Sequence, residues 1–224
     1  MYKPSFTFVK STDKSWDSVG AAGNLIAPIE SLSINAFRTV VNIDLIGSFN
    51  TVKATMPYLL DSVARTKCEG SLATSGRIIF ISATFHYTGM PFQIHAACAK
   101  AGVDALSASV VLEYGPRGIQ SNVISPGAIQ GTEDVNKLFR RDDRVGREVP
   151  LGRHELLKEI SDATVYLLSE SGNYVNGHVL VVDGGAWRAP QFLGLSASKT
   201  SLDILEADVK QQRHTKNGIV KARI

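Results

Sequence analysis

Three short apolar runs set the frame for this chain: "RIIFISA" (77–83), "IQSNVIS" (119–125) and "HVLVVDGG" (178–185). Each is rich in β-branched residues and ends beside small or turn-forming ones, the pattern of a buried strand. Stretches of helical periodicity separate them. Residues 33–60 place Phe37, Val40, Val41, Leu45, Phe49, Val52 and Met56 at helical spacing. Residues 96–113 and 154–169 repeat the habit, the latter through Leu156, Leu157, Ile160, Ala163, Val165, Leu167 and Leu168. Such stretches are long enough to cross over between parallel strands. Strands this apolar require cover on both faces, so the expected architecture is α/β, a doubly wound parallel sheet. Residues 1–18 show no clear period and read as an irregular lead-in. Beyond Pro190 the chain turns polar and Ser/Lys-rich, with one short helix expected over 201–213.

Composition excludes several classes. At 224 residues the chain can bury one core. Its net charge of +3 belongs to the tail, because residues 199–224 carry six Lys/Arg against three acids and the first 198 residues balance. A neutral body does not offer the basic face that nucleic acid needs. No run of about 20 consecutive apolar residues is present to span a membrane, and the first residues lack the apolar stretch of a signal peptide. Two cysteines, Cys68 and Cys98, suit a reducing compartment better than a disulfide framework. No Cys/His cluster has the spacing of a metal site.

Chemistry concentrates at a few positions. In "IHAACAKAGVDAL" (94–106), Lys100 is flanked by Ala96, Ala97, Cys98, Ala99, Ala101 and Gly102. Side chains that small admit a close neighbour, either another helix or a flat cofactor; the alternative is a surface lysine on an Ala-rich helix. On a helical face with Phe37, Val40, Val41, Ser48 and Val52, Asp44 is the one charge. There it is either buried, and must be paired or protonated, or turned to solvent. Two Gly-containing loops, "GAAGN" (20–24) and "SPGAIQGTE" (125–133), suit the crevice at the carboxyl ends of strands, where doubly wound sheets bind ligands. Tyr87 follows a strand end and can face that crevice. His95 adjoins a helix start and is a candidate substrate contact, with a buried structural histidine as the plainer alternative. No G-x-S-x-G elbow exists, so hydrolase chemistry has no support.

Taken in order, "GAAGN", "VVNIDLIGSFNTVKA", "GRIIFISAT", "HAACAKAGVDAL", "EYGPRGIQSNVISPGAIQGTE" and "VNGHVLVVDGG" resemble the short-chain dehydrogenase/reductase family, from about Gly20 to Gly185. The resemblance implies a Rossmann-like fold, with residues 19–190 a partial dinucleotide-binding reductase domain and 191–224 a tail. That family's usual catalytic set is Asn, Ser, Tyr and Lys. Here the matching positions hold Asp44, Ala83, Ala96 and Lys100, so only the lysine is kept. Carbonyl reduction needs the missing tyrosine as proton donor. The pattern instead resembles the peroxisomal 2,4-dienoyl-CoA reductase branch, which implies NADPH as cofactor and an acyl-CoA substrate. Lys100 and Asp44 would then be the catalytic pair, with Lys100 also holding the nicotinamide ribose. Ala22 and Gly23 would lie near the adenosine end, and Pro126, Gly127, Ile129 and Thr132 near the carboxamide. Tyr87 and His95 would meet the substrate.

The resemblance also implies a homo-oligomer built on helices 35–60 and 96–113. The closing "ARI" (Ala222, Arg223, Ile224) has the small–basic–aliphatic form read by the peroxisomal import receptor. The family's opening βαβ portion, with its TG-x-x-x-G-x-G phosphate loop, has no counterpart, because no glycine precedes residue 20. Without that cradle at a helix N-terminus, weak NADPH binding is expected. Two other readings stand beside the dienoyl-CoA one: another acyl-CoA or carbonyl reductase of this fold, and an inactive oligomerising fragment.

Overall fold

The computed structural model of the chain describes residues 7–10, 15–19, 23–68, 76–132 and 149–189. Five strands form one sheet in chain order: β1 (Thr7–Lys10), β2 (Ser15–Val19), β3 (Gly76–Ile81), β4 (Ile119–Pro126) and β5 (Val179–Val182). Strands β2 to β5 run parallel, with Ser15 opposite Gly76, Gly76 opposite Ile119 and Val123 opposite Val179. β1 pairs antiparallel to β2 on the outer edge. The irregular lead-in expected for residues 1–18 is therefore corrected: β1 lies within it and β2 begins within it and runs to Val19. Their segments, "TFVK" and "SWDSV", carry β-branched and aromatic residues but are too short to show a period.

The three predicted strands are present at 76–81, 119–126 and 179–182. All eight residues of β4 are buried, although four of them are polar. Those four include Gln120 and Asn122, whose amides donate to the backbone carbonyls of 172–175 and tie the approach to β5 onto the sheet. Gln120, Ser121 and Asn122 thus have partners, which is what makes their burial tolerable.

Helices cover both faces. The expected helix over 33–60 is three pieces: α1 (Ile34–Val41), a wider π turn (Asn42–Ile46) and α2 (Gly47–Cys68). With α4 (Ile94–Tyr114), α2 packs on one face, burying Val52, Met56, Leu59 and Val103 against Ile78, Phe80 and Val123. On the other face lies α5 (Leu157–Leu168), where Ile160 and Leu167 meet Ile79 and Ile124. Helical expectation ran too far here, since Leu156, Leu157 and Val165 are exposed. The strand order advances one way throughout while the covering helix changes face at α5. The β4–β5 crossover therefore has the opposite hand to the two before it, an exception to the usual rule for parallel strands.

Among the described residues one helix, Ile94–Arg117, is long and apolar enough to cross a membrane by length and composition alone, a test that a core helix also meets. Its apolarity has another use. One side of α4 packs on the sheet, where Ser107 shares a hydrogen bond with Ser121 at 2.8 Å, and the same side carries the buried Lys100.

Candidate functional site

The site is assembled where four segments meet at the carboxyl ends of the strands. Asp44 sits in the π turn and is 1% exposed. Val40, Asp44, Ser48 and Val52 are buried in succession, so the carboxylate points inward along an otherwise apolar face. The Gly23 N–H donates to its Oδ1 at 2.6 Å. Lys100 Nζ stands 3.6 Å from its Oδ2 and donates to the Ile81 carbonyl, the last of β3, at 3.1 Å. A π turn presents a side chain that a regular helix would rotate away, and such turns recur at functional sites. Desolvating two charges costs several kcal/mol each, and the hydrogen bonds from Gly23 and to Ile81 offset part of it.

What the small residues around Lys100 admit is a helix. A Cβ on Gly102 would lie 2.7 Å from Leu45 Cδ2, so glycine at that position lets α4 approach the π turn without displacing the Leu45 side chain. Ala96 and Ala99 are buried beside it, at 3% and 0% exposure. Gly23 belongs to this pair of charges through its N–H, rather than standing apart from it. Ala22 lies outside the described residues, as do the 201–213 segment and Ala222, Arg223 and Ile224.

At the end of β4, Pro126 is buried, and the Gly127 N–H donates to the Val182 carbonyl and to Glu155 Oε2. A Cβ on Gly127 would meet Asp183 at 2.9 Å, so this glycine lets the loop close on the end of β5. Ile129 bridges to Glu155, and the Thr132 hydroxyl donates to the Ile129 carbonyl at 2.9 Å. The loop is thus held in shape by Glu155, a residue the sequence reading did not single out. Nothing in "GRHELL" marked it, since its partner Gly127 is 28 residues away.

Glu155 is buried, and burial pushes its carboxyl up from 4.5 to about 7; Glu159 and Asp183 add to the shift, while the Gly127 N–H and Arg153 oppose it. A raised carboxyl pKa stabilises the fold while the group is protonated, fully below its unfolded value of 4.5. That stability is lost as pH rises through 7. Glu155→Gln keeps an acceptor for Gly127 and has no proton to lose. Thermal melts are expected to show it more stable than the parent at about pH 8, by roughly 1–3 kcal/mol, with the margin gone at about pH 5. Equal margins at both pH values would contradict the assignment.

Tyr87 and His95 part company. Tyr87, on α3 (Phe85–Thr88), is 45% exposed, and its hydroxyl donates to Asp104 Oδ2. His95 is 0% exposed, and burial lowers its pKa against a partial counter-effect of the Leu25 backbone. As placed, it is an interior residue. Phe92, three residues before it, adopts φ +64°, a left-handed backbone unusual for a bulky side chain. Among the described residues, no group of three or more His, Cys, Asp or Glu is placed to hold a metal.

Comparison with known proteins follows from this geometry. The family described as enoyl-(acyl carrier protein) reductase matches residues 7–186. The chain is 45% identical over 177 residues to the peroxisomal 2,4-dienoyl-CoA reductase SPS19 of Saccharomyces cerevisiae, covering 78% of this chain and 56% of that one. It is 41% identical over 183 residues to the peroxisomal 2,4-dienoyl-CoA reductase of Arabidopsis thaliana, covering 80% and 60%. The chain therefore spans little more than half the length of these relatives. Among solved structures, a short chain dehydrogenase from Bacillus anthracis is 35% identical with a TM-score of 0.64, covering 76% of this chain and 63% of that one. A deoxygluconate dehydrogenase homologue from Agrobacterium tumefaciens, solved with bound NADP, is 27% identical with a TM-score of 0.67, covering 78% and 67%.

Proposed function

The chain belongs to the short-chain dehydrogenase/reductase family, and on that basis we propose that it reduces 2,4-dienoyl-CoA thioesters to 3-enoyl-CoA with NADPH. The observation that carries this reading is the buried Lys100–Asp44 pair, one helical turn from Ala96. Where a reductase of ketones needs a tyrosine hydroxyl beside its lysine, this chain has a methyl group. A conjugated thioester does not need that hydroxyl, because the charge formed on reduction gathers on the thioester oxygen, away from the carbon that accepts hydride.

The residues present fit a nicotinamide cofactor. Lys100 and the loop from Pro126 to Thr132 lie at the carboxyl ends of neighbouring strands, so an ammonium for ribose hydroxyls stands near main-chain groups suited to a carboxamide. When bound, the reduced cofactor supplies hydride. Lys100 holds the ribose and lends positive charge toward the thioester oxygen. Asp44 keeps Lys100 charged and orients a water for proton delivery to the carbon next to the thioester. Gly127, fixed by Glu155 and Val182, keeps the loop in register. The peroxisomal relatives favour the same compartment for this reaction.

The purified chain is expected to oxidise NADPH in the presence of 2,4-hexadienoyl-CoA, at cofactor concentrations high enough to fill a weak site. Oxidation with a simple ketone and none with the dienoyl thioester would overturn the proposal.

A homo-oligomer is part of this reading. Ile94, Cys98, Ala101, Ala105, Ala108 and Leu112 are all exposed on α4, at alternating spacings of four and three. This is an apolar seam of the kind that packs against another helix. A second copy of the chain is its proposed cover. Light scattering should give the mass of a dimer or tetramer, and Ala105→Glu should give a monomer. A parent chain that is already monomeric would contradict it.

A further inference from the structure

One half-buried cluster is not used by the chemistry above. Asp104 lies one turn beyond Lys100 on the same face of α4. Its Oδ2 is 2.9 Å from His86 Nε2 and also accepts from the Tyr87 hydroxyl, so a single oxygen anchors both side chains of α3. The His86 and Tyr87 rings lie against each other at a tilt of 43°, with centroids 3.8 Å apart, and the Tyr87 and Trp187 centroids are 6.1 Å apart at 57°. The Trp187 backbone is fixed independently, since the Asp183 carboxylate accepts from its main-chain N–H at 2.7 Å and from the Gly185 N–H at 2.8 Å. The Arg188 guanidinium closes the outer face of the indole at 3.9 Å.

The topology gives this contact its meaning. Tyr87 follows β3, Trp187 follows β5, and β4 lies between those strands. The two rings therefore meet across the carboxyl end of β4, above the loop from Ser125 to Thr132. Lys100 lies at the same carboxyl end of the sheet, beside the last residue of β3. Burial and the neighbouring Asp104 carboxylate raise the Tyr87 pKa. Asp104 itself is held below its ordinary value despite burial, by hydrogen bonds from His86, Ser82 and Tyr87. The carboxylate therefore remains ionised, and the phenol protonated, throughout the neutral range.

We propose that Asp104 is a positioning residue that holds the Tyr87 ring against Trp187, making an aromatic wall that grips the flat conjugated segment of an acyl thioester. The ligand class rests on the function proposed above; the positioning does not. A planar diene offers a face to the rings that a saturated chain lacks, so the wall discriminates between the two.

Trp187 and Trp16 are the only tryptophans, so a Trp16→Phe background makes Trp187 the sole indole. In that background Asp104→Leu, Asp104→Asn and Tyr87→Phe are compared with the parent by acrylamide quenching and by titration with 2,4-hexadienoyl-CoA and hexanoyl-CoA. Quenching is expected to rise about two-fold in the Asp104 variants and less in Tyr87→Phe, which keeps its ring. Affinity for hexadienoyl-CoA is expected to fall about five- to ten-fold, with hexanoyl-CoA little changed. In turnover KM rises in step, while kcat stays within about two-fold. Should Asp104→Leu fail to fold, the other two variants carry the same comparison. Unchanged quenching overturns the positioning role. Altered quenching with unchanged hexadienoyl-CoA affinity overturns the ligand assigned to the wall. A parent that binds neither thioester overturns that ligand together with the proposed function, and quenching still decides the positioning role.

Discussion

Lys100→Met is expected to lower dienoyl-CoA-dependent NADPH oxidation by about 100- to 1,000-fold, the usual cost of removing a charge aimed at the reacting centre. Asp44→Asn is expected to lose a similar amount, because it removes the partner that keeps the lysine charged. Either change alone also destabilises the fold, by roughly 3–5 kcal/mol, since it leaves one buried charge without its counter-ion. Geometry supports this estimate: Asp44 is 1% exposed and Lys100 7%. The double variant Lys100→Met/Asp44→Leu separates the two effects. With both charges gone, stability is expected to return to near the parent's while activity remains lost. If the double variant recovers activity along with stability, the pair is structural and the catalytic assignment fails.

Arg77→Leu is expected to produce the largest loss of stability from a residue far from the chemistry. Arg77 is the second residue of β3 and is 1% exposed. One nitrogen donates to the Leu167 carbonyl at 2.8 Å and the Ser169 carbonyl at 2.6 Å, and another donates to the Asn173 side chain. These are the orphan carbonyls at the C-terminus of α5 and the turn after it, so the guanidinium caps that helix from inside the sheet. Burial lowers the Arg77 pKa, and Glu170 partly counters it. Leucine would leave one buried and two part-buried acceptors unpaired, at up to about 1–3 kcal/mol each, a melting point lower by roughly 10 °C. Arg77→Lys is expected to fall between, because one ammonium cannot span all three acceptors. A leucine variant that melts within about 2 °C of the parent would show that the cap contributes little.

Much of this structure is legible in local pattern. Strands β3 to β5 are visible as β-branched runs because a parallel sheet buries both faces of its strands. The helix of Lys100 is visible because its small residues and sheet-facing side recur at helical spacing. Other features depend on distant partners. Arg77 reads as the polar start of a strand until α5 arrives, 90 residues later, to use it. Asp104 resembles any surface acid on a helix until β3 delivers His86 and Tyr87 to it. The π turn at Asn42–Ile46 has no residue signature, and its one extra residue per turn decides which way Asp44 points. β2 was missed because "SWDSV" interleaves polar residues with apolar ones over five positions. The reversed hand of the last crossover depends on which face α5 covers, which periodicity cannot reveal.

The central claim is that the Lys100–Asp44 site directs hydride to a conjugated thioester rather than to a carbonyl. Incubation with 2,4-hexadienoyl-CoA and NADPH carrying deuterium on the transferring face tests it directly. NMR of the product should find the label at the far carbon of the diene, a solvent proton at the carbon next to the thioester, and a 3-enoyl double bond. Label at the thioester carbonyl carbon, or a 4-enoyl product labelled at its β carbon, would contradict the account.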